Sequence, residues 1–313
     1  MATVELTLTG PDGANPLGFL CALGALRTLS NAWPDSEVKM KWEQLGAAWR
    51  PVLRASHADL DGKDKTGQRK VIVNAIFEEL KKMEGHPARR WDDTHNIPPG
   101  NYREYASEAR DLFFNADNAN HRPAEWAAAL ACDGIADDKA VDDTAFRTMS
   151  GQGHQHFLKQ IRLLQEATSS EHITEALFGW KYQDEKYNLR FDPSEDRRHA
   201  LRWKSPDKDT IKTVWGANRL AAEGLPLYSV FPSGNRLKTV GFRGSGKDDT
   251  FWTWPLWGGF LNVSVVRVIL ALPTLQTKQP SRTDLSPLGI VEVYRAQRIN
   301  VGRYRAFATA RAV

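Results

Sequence analysis

The sequence predicts a mixed α+β fold, in which a strand-and-helix unit is followed by a helical middle and a part that contains β-hairpins. Three observations support this prediction. Near the start, alternating and helical segments follow one another in the order β-α-β-β-α. Residues 86–144 then show helical spacing, and the rest of the chain contains two pairs of strand-like segments joined by short turn sequences.

The first unit is predicted to cover residues 1–85. VELTLTG alternates, which places Val4, Leu6 and Leu8 on the buried face of a strand. Asn15 is a favourable N-cap, and Pro16 suits the first position of a helix that runs to about Ser30. The segments EVKMKWEQ and WRPVLRAS predict two further strands, the first with Val38, Met40 and Trp42 facing inward.

A second helix of this unit is predicted after the polar loop DGKDKTGQRK. Its inward face carries Val73, Ile76, Phe77 and Leu80, while Glu78, Glu79, Lys81 and Lys82 are expected to face solvent. The resulting order resembles a ferredoxin-like or RNA-recognition-type unit without an evident fourth strand.

The opening helix contains glycines in its most apolar stretch, GANPLGFLCALGALRTL. Each glycine costs roughly 1 kcal/mol of helix stability relative to alanine. Gly18 lies on one side of the helix with Ala22 and Ala25, and leucines occupy the other sides. We therefore expect a helix that is buried on most sides and that another backbone approaches closely.

The helical middle is predicted over residues 86–144. Tyr105, Ala109, Leu112 and Phe113 form one helical stripe. PAEWAAALACDG predicts a helix that begins at Pro123 and ends at Gly134, and the acidic DGIADDKAVDD predicts an exposed loop.

Residues 145–313 are predicted to mix helices with hairpins. AFRTMSG suggests a strand, and helices are expected around residues 157–164, 173–177 and 208–222. PSGN and NVG are turn sequences between strand-like segments, so each predicts a hairpin. The tryptophans of FWTWPLW are expected to anchor the core rather than to stack on bases.

Composition places the 313-residue chain among ordinary globular proteins with a mildly basic balance. The formal net charge is +4 and the isoelectric point is about 9.0, which gives weak support for an anionic partner. Cys21 and Cys132 lie in apolar segments and are expected to be buried thiols of a cytoplasmic protein. The start lacks the pattern of a signal peptide, and no apolar stretch is long enough to predict a membrane span.

Three motifs contain residue types that could bind a ligand or carry chemistry, and the first is GFRGSGKD. It has the glycine and lysine spacing of a phosphate-binding loop, but Asp248 stands where Ser or Thr would reach magnesium. A flexible glycine loop is the favoured interpretation, in which Arg243 and Lys247 could still contact a phosphate backbone.

GQGHQHFL and RFDPSEDRRHALRW are the other two motifs. His154 and His156 would share one face of a strand, but the helix that is predicted to begin near these residues would separate their side chains. The loop SGQG at the start of that helix could instead present backbone N–H groups to an anion. Asp192, Glu195 and Asp196 could form a catalytic pair, although the neighbouring arginines favour a solvated ion-pair loop. Neither motif predicts a metal site, a catalytic residue or a cofactor.

The C-terminal hairpin concentrates the positive charge. Residues 281–313 contain six arginines against Asp284 and Glu292, a local excess of four that equals the net charge of the chain. Guanidinium groups suit phosphate oxygens, and Arg303 and Arg305 share one face of a predicted strand. The predicted nucleic-acid contacts are therefore made by these arginines and, more weakly, by the glycine loop: Arg295, Arg298, Arg303, Arg305, Arg243 and Lys247. The alternative is the ordinary charged face of an edge hairpin.

Two stretches of the chain resemble a known family. NPLGFLCALGALRTL after a strand, and later RFDPSEDRRHALRW with VWGANRLAAEGLPLYSVFP, resemble proteins of type I CRISPR-Cas loci, particularly subtype I-G (formerly I-U). The similarity covers about residues 15–80 and 145–245. It implies a non-catalytic, large-subunit-like member of a Cascade crRNA surveillance complex. Such a protein contacts target DNA, takes part in recognising the protospacer-adjacent motif, and leaves cleavage to a helicase-nuclease.

The sequence therefore predicts a cytoplasmic, non-enzymatic subunit whose partners are crRNA, target double-stranded DNA and the backbone and crRNA-processing subunits of Cascade. The helicase-nuclease would join transiently, and no membrane is involved. Two alternatives stay open. One is a metal-dependent nuclease or hydrolase that uses His154, His156 and Asp192 or Asp196, and the other is a scaffold that contacts only protein.

Overall fold

A computed structural model describes residues 3–91, 97–115, 120–136, 139–149, 156–195, 211–244, 249–301 and 304–313. It confirms a mixed α+β fold with an N-terminal strand-and-helix unit, a helical middle and a C-terminal sheet built from hairpins. The helices are α1 (Pro16–Ala32), α2 (Lys65–Leu80), α3 (Pro87–Arg90), α4 (Pro99–Phe113), α5 (Arg122–Leu130), α6 (Phe157–Ala167), α7 (Ser170–Phe178), α8 (Trp215–Gly224), α9 (Val263–Leu270) and α10 (Arg282–Leu285).

The strands form one N-terminal sheet, one C-terminal sheet and three small hairpins or ribbons. In chain order they are β1 (Thr3–Thr7), β2 (Val38–Leu45), β3 (Ala48–Ser56), β4 (Ala131–Ala136), β5 (Val141–Asp143), β6 (Asp184–Glu185), β7 (Lys212–Thr213), β8 (Val230–Ser233), β9 (Arg236–Thr239), β10 (Phe242–Arg243), β11 (Phe251–Trp257), β12 (Ile290–Val301), β13 (Tyr304–Phe307) and β14 (Arg311–Ala312).

The N-terminal sheet has the order β1-β3-β2 and is antiparallel throughout. β3 lies between β1 and β2, so Leu53 pairs with Leu6 on one side and with Met40 on the other. This is the split β-α-β arrangement that the sequence predicts, with three strands in the part of the chain that the structure describes. All six predicted inward residues of β1, its extension and β2 are buried.

Helix α1 begins where the sequence predicts. The Asn15 side chain accepts hydrogen bonds from the backbone N–H groups of Leu17 and Gly18, and Pro16 occupies the first turn. Every residue from Pro16 to Leu29 is buried. The expectation of a helix surrounded on most sides is confirmed.

The glycines of α1 allow close backbone contact, as expected. A Cβ atom on Gly24 would overlap the carbonyl oxygen of Leu220 in α8, and one on Gly18 would overlap that of Asp12. The approach is reciprocal, because a Cβ on Gly224 of α8 would lie 2.7 Å from the carbonyl oxygen of Leu20. Glycine is therefore required on both helices at this crossing, since any larger residue would push the two backbones apart.

Four predictions about elements or their bounds are wrong. The helix expected to reach Gly134 ends at Leu130, and Ala131–Ala136 pairs with Val141–Asp143 as a hairpin in place of the expected exposed loop. AFRTMSG forms no strand over residues 145–149. The helix expected over 208–222 begins only at Trp215, because Lys212 and Thr213 pair with Glu185 and Asp184; residues 208–210 lie outside the described ranges.

The C-terminal sheet has the order β10-β11-β12-β13, and β14 pairs with β12. Trp252, Trp254 and Trp257 of β11 are fully buried, which confirms their role as core anchors. The Phe19 ring of α1 lies 5.6 Å from Trp254 and 6.4 Å from Trp257, measured between ring centroids. One cluster of buried side chains therefore joins the first and last parts of the chain. The segment boundaries at residues 85 and 144 stay a prediction.

Glu79 and Cys132 differ from their expected burial. Glu79 was expected to face solvent, but it is buried against Arg122. Cys21 is buried as expected, whereas Cys132 is only half-buried. Among the helices of the described ranges, none combines the length and the apolarity needed to cross a bilayer.

Candidate nucleic-acid interface

Four of the six predicted nucleic-acid contacts lie in the described part of the chain. Arg243 is in β10, Arg295 and Arg298 are in β12, and Arg305 is in β13. Arg303 and Lys247 lie outside the described residues.

Arg295 is buried and makes hydrogen bonds within the fold. Its side chain is buried, and its Nε donates to the Thr253 hydroxyl at 2.9 Å. The two terminal nitrogens donate to the backbone carbonyls of Lys278 at 2.7 Å, Thr277 at 2.6 Å and Leu275 at 3.2 Å. All three nitrogens are thus engaged: the two terminal nitrogens hold residues 275–278 against β12, and Nε links β12 to β11. The expectation that Arg295 contacts nucleic acid does not fit this environment.

Arg298 and Arg305 share a face of the β12–β13 hairpin. Asn300 lies opposite Arg305 and Arg298 lies opposite Phe307, so the two arginines are diagonal neighbours. Diagonal neighbours lie about 7–8 Å apart, within reach of long side chains. Phe307 on this face is fully buried, and Ile299 and Ala306 on the opposite face are buried too, so the hairpin is packed against other residues on both faces.

Arg147, which the sequence did not single out, completes the group. It lies after β5, and its backbone carbonyl accepts a hydrogen bond of 2.8 Å from Arg298 Nη2. Its own guanidinium forms an ion pair with Asp143 and donates from Nε to the carbonyl of Met149 at 3.3 Å. We call Arg147, Arg298 and Arg305 the arginine cluster.

The arginine cluster is electrostatically strained. Burial, and then the neighbouring charges of Arg305 and Arg147, lower the pKa of Arg298 to about 9. Burial and Arg305 lower the pKa of Arg147 to about 10, and burial lowers that of Arg305. Like charges held together in a half-buried place destabilise one another. An anion bound among them would relieve this repulsion.

Arg243 is a separate cation at the edge of the same sheet. It lies opposite Phe251, and its guanidinium carbon is 5.1 Å from the centre of that ring. Its charge also contributes to lowering the pKa of Arg295 to about 10, after burial as the main cause. Arg243 thus remains a candidate for a phosphate contact.

The described part of the acidic motif, residues 190–195, differs from the solvated ion-pair loop that the sequence suggested. Asp192 and Glu195 are both buried. Asp192 Oδ1 accepts from Asn15 Nδ2 at 3.2 Å and from the Ser194 N–H at 2.9 Å, and its Oδ2 accepts from the Tyr182 hydroxyl at 2.8 Å. Asp192 therefore ties this loop to the cap of α1. Asp196 and the arginines at 197, 198 and 202 lie outside the described ranges.

The buried position of Glu195 favours the protonated form of its carboxyl group. Burial and the nearby charge of Asp192 raise its pKa from 4.5 to about 8, although the Thr213 hydroxyl donates to it. Between these values the folded protein keeps a proton that the unfolded chain releases, so folding is favoured at lower pH.

We expect the free energy of unfolding to fall as the pH rises from about 4.5 to about 8 through this residue. Glu195→Gln keeps the neutral form at every pH and should flatten that part of the profile, measured by urea unfolding. Glu185→Gln, at a half-exposed position, is the control and should leave the profile as in the wild type. Equal profiles for wild type and Glu195→Gln would contradict the assignment.

The residues invoked for a metal-dependent nuclease are only partly described. His156 precedes α6 and His154 lies outside the described ranges, as Asp196 does. Among the described residues no group of three His, Cys, Asp or Glu side chains is placed to hold a metal ion. Asp192 is occupied by the three hydrogen bonds given above.

A buried ion network lies away from the arginine cluster, and the sequence did not predict it. Glu223 of α8 is fully buried; it accepts from Arg219 at 2.6 Å and from Arg27 of α1 at 3.0 Å. Arg122 approaches the same carboxylate at 3.4 Å, and Arg27 also binds Glu125 of α5 at 2.6 Å. The network joins three helices. The i,i+4 spacing of Arg219 and Glu223 was the available sequence signal.

Comparison with known proteins returned no matching family model, no matching curated protein and no matching solved structure.

Proposed function

We propose that this chain is a non-catalytic subunit of a type I CRISPR-Cas surveillance complex, and that its arginine cluster binds the phosphate backbone of crRNA or target DNA. One observation supports binding to nucleic acid. Arg147, Arg298 and Arg305 come from two distant segments of the chain and lie close enough that their charges lower one another's pKa values. The CRISPR assignment rests on the sequence resemblance. The chain would work in the cytoplasm, with crRNA, target duplex and the other Cascade subunits as partners.

A bound phosphate would lower the electrostatic energy of the arginine cluster. Asp143 forms an ion pair with Arg147, while burial and the neighbouring guanidinium charges lower the pKa values of Arg147 and Arg298. Arginine donates in a planar fork that matches phosphate oxygens, so an entering phosphate would find charge and geometry already in place. Such contacts fix a nucleic acid without reading its sequence, so a motif reader would have to be a different residue.

Arg305→Ala should weaken binding of the assembled complex to all DNA sequences by a similar factor. Each lost phosphate contact lowers the slope of log affinity against log salt by about 0.9 on duplex DNA. The same variant should not destabilise the fold, because it removes a charge that raises the energy of Arg147 and Arg298. A salt titration of binding and a thermal melt measure the two effects.

Arg311→Ala is the matched control, since Arg311 is an exposed arginine in the same sheet. It removes the same net charge and should change the slope less than Arg305→Ala does. If the two variants have equal effects, general charge rather than the arginine cluster is responsible. If neither changes affinity or slope, the cluster does not bind nucleic acid.

The two alternatives predict other results. The protein-only scaffold gains some support from Arg295, because this arginine of the basic hairpin is buried and donates hydrogen bonds to backbone carbonyls of the chain itself. It predicts that the purified complex retains no nucleic-acid contact to this chain in crosslinking. A nuclease predicts cleavage by the isolated chain with magnesium, manganese or zinc that is lost in His154→Ala or His156→Ala.

A further inference from the structure

The carboxylate of Asp143 forms an ion pair with the guanidinium of Arg147, which belongs to the arginine cluster. Both side chains are half-buried, so water screens this pair less than it would a pair at the surface. Arg298 and Arg305 form no ion pair within the part of the chain that the structure describes. Asp143 therefore neutralises one of the guanidinium groups to which the proposed function assigns phosphate binding.

The backbone around Asp143 is fixed by hydrogen bonds. Asp143 is the last residue of β5 and pairs with Ala131 of β4. The Thr144 N–H donates to the carbonyl of Leu130 at 2.9 Å, and the Thr144 carbonyl accepts from the Arg147 N–H at 3.1 Å. The ion pair thus closes a short turn whose two ends are held by the backbone. A phosphate that approaches Arg147 meets a carboxylate that is already in place.

Arg147 has other contacts that hold it in the cluster without this carboxylate. Its Nε donates to the carbonyl of Met149 at 3.3 Å, and its own carbonyl accepts from Arg298 Nη2 at 2.8 Å. Asp143 therefore adds an opposing charge rather than the support that orients Arg147. A guanidinium N–H that donates to a carboxylate is not available to a phosphate oxygen, and a carboxylate beside a phosphate repels it.

We propose that Asp143 limits the affinity of the arginine cluster for nucleic acid, because its carboxylate competes with phosphate oxygens for Arg147. The inference rests on the proposed function, which supplies the phosphate. It also fixes the sign of one substitution. Loss of a competing carboxylate strengthens binding, whereas loss of an ion pair that only supports the fold leaves binding unchanged or weakens it.

The test measures binding of the full chain to a fluorescently labelled DNA duplex of mixed sequence and to a single-stranded RNA of the same length. Asp143→Asn keeps the size of the side chain and removes its charge, and it should bind both about tenfold more tightly than the wild type does. Asp142→Asn is the matched control, because Asp142 is the exposed neighbour in the same strand and its loss changes the net charge equally. Its effect on affinity should be at most about twofold, since exposed charges are screened.

Further variants show whether the effect passes through Arg147. Asp143→Glu keeps a carboxylate and should bind as the wild type does. In a chain that already carries Arg147→Gln, Asp143→Asn should lose most of its effect, because the guanidinium for which carboxylate and phosphate compete is gone. Thermal melts report whether each variant is folded, and Asp143→Ser removes the same charge if the asparagine variant does not fold.

Three outcomes would overturn the proposal. If Asp143→Asn binds as the wild type does or more weakly, while Arg305→Ala still lowers the affinity, Asp143 is no competitor and the proposed function stands. If Asp142→Asn and Asp143→Asn strengthen binding equally, general charge explains both, and the proposed function again stands. If neither the wild type nor any variant binds either nucleic acid, both proposals are overturned.

Discussion

Glu223→Ala is expected to lower the free energy of unfolding by about 3–5 kcal/mol, because it leaves charged partners buried without their counter-ion. Arg219 and Arg27 are each only 1% exposed and both donate to this carboxylate. The loss can be measured by urea unfolding at neutral pH. Glu78→Ala removes an exposed carboxylate paired with Lys81 and should cost at most about 1 kcal/mol.

Glu223 also makes the free energy of unfolding depend on pH in the acid range. Burial by itself would raise the pKa of Glu223, but the surrounding guanidinium groups of Arg219, Arg122 and Arg27 hold this pKa well below its ordinary value. The unfolded chain therefore takes up a proton at a higher pH than the folded protein, and the stabilisation is lost as the pH falls below the ordinary carboxyl range. In the alanine variant this part of the acid profile should be absent. Similar losses for Glu223→Ala and Glu78→Ala would contradict the buried network.

Gly24→Ala is expected to cost about 3 kcal/mol or more, because the added methyl group meets backbone rather than a side chain that can turn away. The carbonyl oxygen of Leu220 occupies the place where the Cβ would lie, so α1 and α8 must separate. Thermal and urea unfolding give the measurement. Gly100→Ala in α4 is the control, since no atom lies within 4 Å of its Cβ position. It should be stabilising by up to about 1 kcal/mol. A Gly24→Ala variant as stable as the wild type would show that the two helices do not cross so closely.

The N-terminal unit could be predicted well because local signals and burial agree there. Period-two alternation placed Val4 and Leu6 inside the sheet, and Asn15 followed by Pro16 marked the start of α1. The close backbone contact at the glycines of α1 was also predicted correctly, since small residues along one side of an apolar helix allow another backbone to approach it. What the sequence could not provide was the partner backbone, which comes from α8, about 200 residues later in the chain.

The candidate site was only partly predictable, because charge along the chain does not show which side chain each charge meets. Counting arginines identified Arg298 and Arg305 but also Arg295, whose hydrogen bonds to residues 275–278 depend on a loop with no sequence signal. Arg147 stands alone in its segment and joins the cluster only through folding. Asp192 was misjudged for the same reason, since its partners Asn15 and Tyr182 are supplied by other elements.

The aromatic contacts of α1 have a consequence for how this protein is made. Phe19 reaches its place beside Trp252 and Trp254 only after the chain has been extended by more than 200 residues. At roughly 5–20 residues per second, a ribosome needs roughly 10–50 s to synthesise that length. During that interval α1 on the nascent chain lacks α8 and β11, which provide part of the surface that covers it in the native state. Synthesis therefore leaves a long period in which a holdase chaperone can compete with aggregation.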